Sequence, residues 1–328
     1  MRRRISERER GAALLAVLLL VAVTGAIAAS MVENLRLSRT IAVNATARDQ
    51  GRLFADGVEQ LALLTIDDQI LRSPERTTLA GNWNGATRTI QLPGGASADI
   101  TVRDGSNCFN INSVVDGQPG RPFVRRASGV AQFMGLMIAL QVPGPDARRI
   151  AEAAADWVDS DNVTGPAGAE DEAYAGRPMP YRTGNTLFAD PGELRALAGM
   201  TPDIYARIRP WLCALPVNDL SPLNINTLGV EQAPLLAMLA PGQLGLDRAR
   251  QVLGQRPAGG WNNQIEFWRI ETMSGLNVPL DVQVQPQLKT NWFTLDVRIR
   301  LMGNEYRENV LVDARLQPSH IVQRHWTE

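Results

Sequence analysis

With 328 residues and a formal net charge of −1, the chain is long enough for two modest domains or for one domain carrying a large insertion. The near-neutral charge supplies no bulk attraction toward nucleic acid. No Ser/His/Asp spacing, Gly-x-Ser-x-Gly or phosphate loop occurs in it, which speaks against the common catalytic sites.

The first element in chain order starts with a basic leader, in which Arg2, Arg3, Arg4, Arg8 and Arg10 precede Gly11. A run without any charged residue extends from Ala12 to Val32. At ~1.5 Å per residue it spans ~30 Å, the thickness of a bilayer's hydrocarbon core. The arginines before the run place the N-terminus in the cytoplasm and the bulk of the chain across the membrane. Past Glu33 the residues Leu35, Ile41, Ala45, Phe54, Val58, Leu61 and Leu64 recur at helical spacing. One helix is therefore expected from Ala12 to about Asp67, ~80 Å long. A secretory signal peptide cut near Ala28 or Ser30 and a plain single-pass anchor are the alternatives. Both leave Gly11 unexplained, since a glycine at the polar border contributes nothing to an anchor helix.

The leader resembles the class III signal of type IV pilins and type II secretion pseudopilins. That resemblance implies cleavage by a prepilin peptidase between Gly11 and Ala12, with N-methylation of Ala12. The fifth mature residue of that family is normally Glu, and here it is Ala16. Its carboxylate is thought to pair with a neighbouring subunit's N-terminal amine in the apolar filament core, where a charge is tolerated only when paired. A subunit without it need not dock onto a subunit above. This absence resembles the large minor pseudopilin K family of the general secretion pathway.

Ser73-Pro74 ends the helical region. Thr87 to Leu92 and Ser97 to Arg103 read as two strands around Pro93-Gly94-Gly95. The lone cysteine pair, Cys108 and Cys213, is a disulfide in an exported chain, or else two unrelated buried thiols. Helices are expected over Gly129 to Leu140, over Asp146 to Asp159 with Asp146 as cap, and over Asp190 to Ala198 with Asp190 as cap. Further helices are expected over Thr201 to Leu215 with Thr201 capping, from a cap at Asn226 or Thr227 to Leu239, over Leu246 to Leu253, and over Asn262 to Ile270. The segments Phe109-Asn110-Ile111-Asn112-Ser113 and Leu223-Asn224-Ile225-Asn226-Thr227 echo each other and read as Asx turns. From Asp281 the pattern alternates again. Strands are expected at Asp281 to Leu288, Trp292 to Met302, Tyr306 to Leu316 and His320 to Trp326, with Gly303-Asn304 as a hairpin turn. His320 and His325 are read as exposed imidazoles.

The acidic stretch Asp156-Trp157-Val158-Asp159-Ser160-Asp161, followed by Glu170-Asp171-Glu172, is the candidate site. Asp159 and Asp161 are spaced like the first ligands of a calcium loop, Glu170 and Asp171 can close the shell, and Asn185 can add an amide. The spacing departs from an EF-hand, and a solvated acidic loop is the alternative. K-type pseudopilins resemble the chain here too, and calcium is what that resemblance implies.

Glu193 to Thr201 and Leu223 to Thr227 resemble helix-hairpin-helix modules, which grip DNA phosphates with a Gly-h-Gly turn, and Leu253 to Pro257 followed by Gly259 to Asn262 resembles the ending of such modules. Gly199 is followed by Met200-Thr201, so the second glycine is missing. A membrane-anchored DNA-binding protein is accordingly the competing reading.

The sequence thus predicts an α+β, type IV pilin-like fold with a large all-helical insertion. The divisions are a leader over 1–11, a spanning and stalk helix over 12–67, a first β region over 68–108, a helical insertion over 109–279 and C-terminal strands over 280–328. The K-type resemblance implies a non-enzymatic subunit, single-pass in the inner membrane with its bulk in the periplasm. It implies a place at the pseudopilus tip with the I- and J-type minor pseudopilins, where it primes fibre assembly. It also implies contact with the inner-membrane assembly platform and the prepilin peptidase.

Overall fold

The computed structural model describes residues 7–118 and 120–327. Arg2, Arg3 and Arg4 of the leader lie outside them.

α1 (Glu7–Arg72) is one continuous helix of 66 residues, about 100 Å long. It exceeds the expected 12–67 at both ends. Arg and Glu in the leader are good helix formers, and the helix stops just before Ser73, which Pro74 keeps out of the α region. From Leu14 to Thr46 every residue is exposed. This part has no packing partner in the chain, and it contains the described helix long and apolar enough to cross a membrane. From Ala47 onward Ala55, Val58, Ala62, Ile66 and Ile70 are buried against a sheet.

That sheet is assembled from both ends of the chain. β1 (Thr87–Gln91) and β2 (Ser97–Asp104) form a hairpin whose glycines Gly94 and Gly95 take φ of 71° and 75°. The order is β1-β2-β7-β8-β9, antiparallel throughout, with the last three strands named below.

Between the two halves of the sheet lies a helical lobe with its own core. β3 (Phe109–Asn110), β4 (Val115–Asp116) and β5 (Val124–Arg125) lead into α2 (Ala127–Ala139) and α3 (Gly144–Val158). α3 begins two residues before Asp146. Its cap is Pro143, and Asp146 sits in the first turn without a capping bond, where its charge still suits the helix dipole. α4 (Asp171–Ala175) is short. The expected helix after Asp190 is a 3-10 segment, Pro191–Ala196, capped by Asp190 with Glu193 closing a capping box. α5 (Pro202–Ile208) is capped by Thr201 as expected, but it ends well before Leu215. Pro210 interrupts the helical hydrogen bonding, and Leu212–Cys213 becomes β6, parallel to β3.

Neither Asn226 nor Thr227 caps a helix. α6 (Ala233–Ala237) starts later, and Asn226 instead accepts from the Trp261 N–H at 2.6 Å and donates to the Trp261 carbonyl at 3.1 Å. Asn110 Oδ1 accepts from the Asn112 N–H and Asn224 Oδ1 from the Asn226 N–H, so both echoed segments are Asx turns. α7 (Leu246–Gly254) and α8 (Gln264–Arg269) complete the helices of this block.

The expected strand over 281–288 is α9 (Leu280–Gln283) and irregular chain, with a single bridge from Gln287 to Asn224. Alternating Val and Gln looks like a strand locally. Here Val282 is buried while Leu280 and Val284 are exposed, and Pro286 disfavours a ladder. β7 (Trp292–Leu301), β8 (Asn304–Asp313) and β9 (His320–Thr327) complete the sheet. The β7–β8 turn falls on Met302 and Gly303, one residue before the expected pair, with φ of 51° and 80°, as a two-residue type I′ hairpin demands.

A buried polar seam ties lobe to sheet. Asp104 accepts from the Thr227 and Thr290 hydroxyls, each at 2.5 Å, and from the Ser106 N–H at 2.8 Å. Burial still holds its carboxyl above the ordinary range. Asn224 adds bonds to the Thr77 carbonyl and the Thr290 hydroxyl.

Two glycines on helices behave oppositely. A Cβ on Gly129 of α2 would lie 1.9 Å from the Ser113 carbonyl oxygen, whereas a Cβ on Gly57 of α1 meets nothing within 4 Å. Gly129→Ala is expected to destabilise the protein by about 1–3 kcal/mol through overpacking. Gly57→Ala is expected to stabilise it by about 1 kcal/mol through helix propensity. Chemical unfolding of both variants in detergent checks the opposite signs.

Candidate metal centre

α3 ends at Val158, and the chain turns outward through Asp159, Ser160 and Asp161. Asp156, buried in the last turn of α3, organises the loop beyond them. Its carboxylate accepts the Gly165 N–H at 3.0 and 3.2 Å and the Ala169 N–H. Gly168 passes so close that a Cβ there would lie 2.0 Å from Asp156 Oδ2. The loop is thereby folded back so that Glu170 returns to Asp159. Beneath it Trp157 packs among Tyr174, Tyr181 and Phe188, which gives the carboxylates a rigid floor.

Asp159, Asp161 and Glu170 each offer one oxygen, and these oxygens all lie within 4.8 Å of one another. Asp159 and Glu170 are buried, while Asp161 is exposed and accepts the Val163 N–H at 2.8 Å. Asp159 Oδ1 and Glu170 Oε1 are buried oxygens that receive no hydrogen bond among the described residues. Burial, then repulsion from Asp161 and Asp156, pushes the Asp159 carboxyl up to about 7. Burial, then repulsion from Asp156, Asp159, Asp161 and Asp171, pushes Glu170 up to about 7. A buried carboxylate cluster with donor-starved oxygens is a site in want of positive charge.

Asp171 and Asn185 stand at the rim. Asp171 Oδ1 accepts the Thr183 N–H at 2.9 Å and its hydroxyl at 3.0 Å, and Oδ2 faces Arg182 at 3.8 Å. Asn185 Oδ1 lies 3.1 Å from the same hydroxyl and the Asn185 N–H donates to the Trp157 carbonyl. Thr183 thus links Asp171, Asn185 and Glu170. It carries no metal-ligand signature in the sequence, and only the return of the chain past α4 reveals it. Asp156 belongs to the acidic run, but its part in shaping the loop depends on the backbone N–H groups of Gly165 and Ala169.

The remaining candidates lie elsewhere. Cys108 and Cys213 are joined, with Cα atoms 5.8 Å apart across the β3–β6 pair. Gly11, Ala12 and Ala16 lie on α1. At the glycine of the helix-hairpin-helix-like segment, Gly199, a Cβ would lie 2.9 Å from the Arg149 stem, so the turn is packed on protein.

Family models for type II secretion system protein K match residues 107–217 and 223–291. The chain is 31% identical to the type II secretion system protein K of Pectobacterium carotovorum subsp. carotovorum over 97% of both chains. It is 38% identical to that of Klebsiella pneumoniae over 80% of both. Among solved structures it is similar to a chain of the GspK-GspI-GspJ complex from enterotoxigenic Escherichia coli, with a TM-score of 0.74 and 28% identity. That match covers 87% of this chain and 98% of that one. A long helix on an antiparallel sheet, extended by a membrane-length segment and interrupted by a helical lobe, defines a pilin-like anchored subunit. The chain belongs to the type II secretion system protein K family, a family of structural, non-enzymatic pseudopilins.

Proposed function

We propose that this chain is a minor pseudopilin at the tip of the pseudopilus, where it assembles with the I- and J-type pseudopilins and primes fibre assembly for protein export. The observation that carries this is its match along nearly the whole of a chain solved in complex with GspI and GspJ. Ala16 in the apolar half of α1 supports the tip position, because no carboxylate is there to engage a subunit above. The bulk of the helical lobe adds to that support, since it would crowd neighbours along a fibre. The chain is anchored in the inner membrane by α1 with its bulk in the periplasm. Prepilin peptidase cuts its N-terminal part between Gly11 and Ala12, with methylation of Ala12, and the inner-membrane assembly platform is a further partner.

Asp159, Asp161 and Glu170 hold calcium, with Asp171 and Asn185 completing the rim. Calcium takes hard oxygen donors in flexible numbers, and here it would supply the positive charge that the cluster lacks. Cys108 and Cys213 form a periplasmic disulfide.

Co-expression with the I- and J-type subunits, followed by purification on a tag at Glu328, tests the reading. All three proteins are expected in one complex, with mature chains beginning at Ala12 by mass spectrometry. A chain beginning near Ser30, or one that retains DNA at physiological salt and neither partner, would overturn it.

A further inference from the structure

The head part of α1 lies over the sheet, chiefly over β7, and its Glu59 reaches the side chains of β8 and β9, where two buried carboxylates come together. Glu59 of α1 is fully buried and Glu308 of β8 is 1% exposed. Arg324 of β9 binds Glu59 with Nη2 at 2.7 Å and Nε at 3.1 Å. The same Nε is 3.7 Å from Glu308 Oε1, beyond hydrogen-bond reach. Neither oxygen of Glu308 receives a hydrogen bond among the described residues.

The charged groups acting on Glu308 are Glu59, Arg324 and Asp56. Across the strands it faces Val297 of β7 and Trp326 of β9. Arg52 of α1 is drawn over the Trp326 ring, 5.8 Å from its centroid. Besides Glu59, α1 turns Asp56 toward Glu308, which adds negative charge. Two buried carboxylates thus share one arginine, whose side chain is 42% exposed and so opens the pair to solvent. Two like charges at such range cannot both ionise without a large cost.

We propose that this site is a proton-held latch: Glu308 is kept as the neutral acid, its O–H donates to the Glu59 carboxylate, and loss of that proton to solvent loosens the head part of α1 from the sheet. Arg324 neutralises Glu59, and the shared proton supplies the donor that Glu308 otherwise lacks. The seating of the stalk on the sheet is then a proton-linked step.

The direction of the pH effect comes from burial and from Glu59, which together push the Glu308 carboxyl up to about 8. The unfolded or opened chain returns it to ~4.3. The folded state binds the proton more tightly, so its contribution is complete below the unfolded value and is lost as pH rises through about 8.

Hydrogen exchange on the full chain in detergent micelles tests this, read on the α1 amides from Ala47 to Ala62 and corrected for intrinsic rates. In the unmodified protein their opening constant is expected to rise up to tenfold per pH unit between about pH 5 and 8, then level off. Glu308→Gln keeps a donor toward Glu59 but cannot ionise, and Glu59→Gln removes the repulsion. Both variants are expected to lose most of that slope while the exchange of α2 and α3 amides stays unchanged. A flat profile in the unmodified protein overturns the latch whatever the variants do. So does a slope that survives in Glu308→Gln.

Discussion

Calcium is expected to raise the unfolding temperature of the intact protein, and the Asp159→Ala, Asp161→Ala variant is expected to show no such rise. At a free concentration 100 times the dissociation constant, a ligand bound only by the folded state stabilises it by about 2.7 kcal/mol. The reason for expecting binding is local. Three carboxylates converge within 4.8 Å, and the ion pair that Arg182 makes at 3.8 Å goes to Asp171 beside them. Removing two carboxylates also removes their mutual repulsion, so in chelator the variant is expected to melt at or above the unmodified protein. Calorimetry of both proteins, each with calcium and with chelator, reads all four values. An unmodified protein that melts identically in calcium and chelator would mean that the cluster holds no calcium.

Replacing both cysteines by serine is expected to cost about 4–5 kcal/mol. The Cys108–Cys213 link closes a loop of sequence separation 105, and the chain-entropy estimate for a 100-residue loop is about 4.7 kcal/mol. That loop contains the acidic site and most of the helical lobe's first half, so the loss falls on the part of the protein that carries the cluster. Equilibrium unfolding in denaturant measures it, with the unmodified protein under reducing conditions as a second reference. Equal midpoints for the serine variant and the oxidised protein would show that the link does not hold the lobe.

Much of the architecture was legible because its signals are local. An uncharged run of membrane length, a 3.6-residue apolar period through the stalk and alternating strands at Thr87, Ser97, Trp292, Tyr306 and His320 need no knowledge of the rest of the chain. The caps at Asp190 and Thr201 were legible for the same reason. Where local pattern misled, a distant contact decided. Asn226 looks like a helix cap, yet Trp261 takes both ends of its amide. Val282 and Val284 alternate like strand residues, yet only Val282 finds a core.

The candidate site divides along the same line. Asp159 and Asp161 are close in sequence, and their spacing matches the first ligands of a calcium loop. Glu170 joins them because Asp156 folds the intervening residues back, and Thr183 enters from beyond α4. Neither fact has a local signature. The bonds from Thr227 and Thr290 to Asp104 and the meeting of Glu59 with Glu308 lie further still from any sequence pattern, since the partners stand far apart along the chain.

The sequence alone therefore determined that the chain is anchored through a long N-terminal helix, that strands flank a helical block, and that an acidic loop comes after α3. Period, charge and capping are properties of neighbouring residues, and the backbone reads them directly. Only the tertiary structure decided that β2 pairs with β7 from the far end of the chain, which carboxylates converge, that the two cysteines meet, and where two buried acids share one arginine. Those depend on which surfaces bury one another, and burial is settled by the whole chain at once.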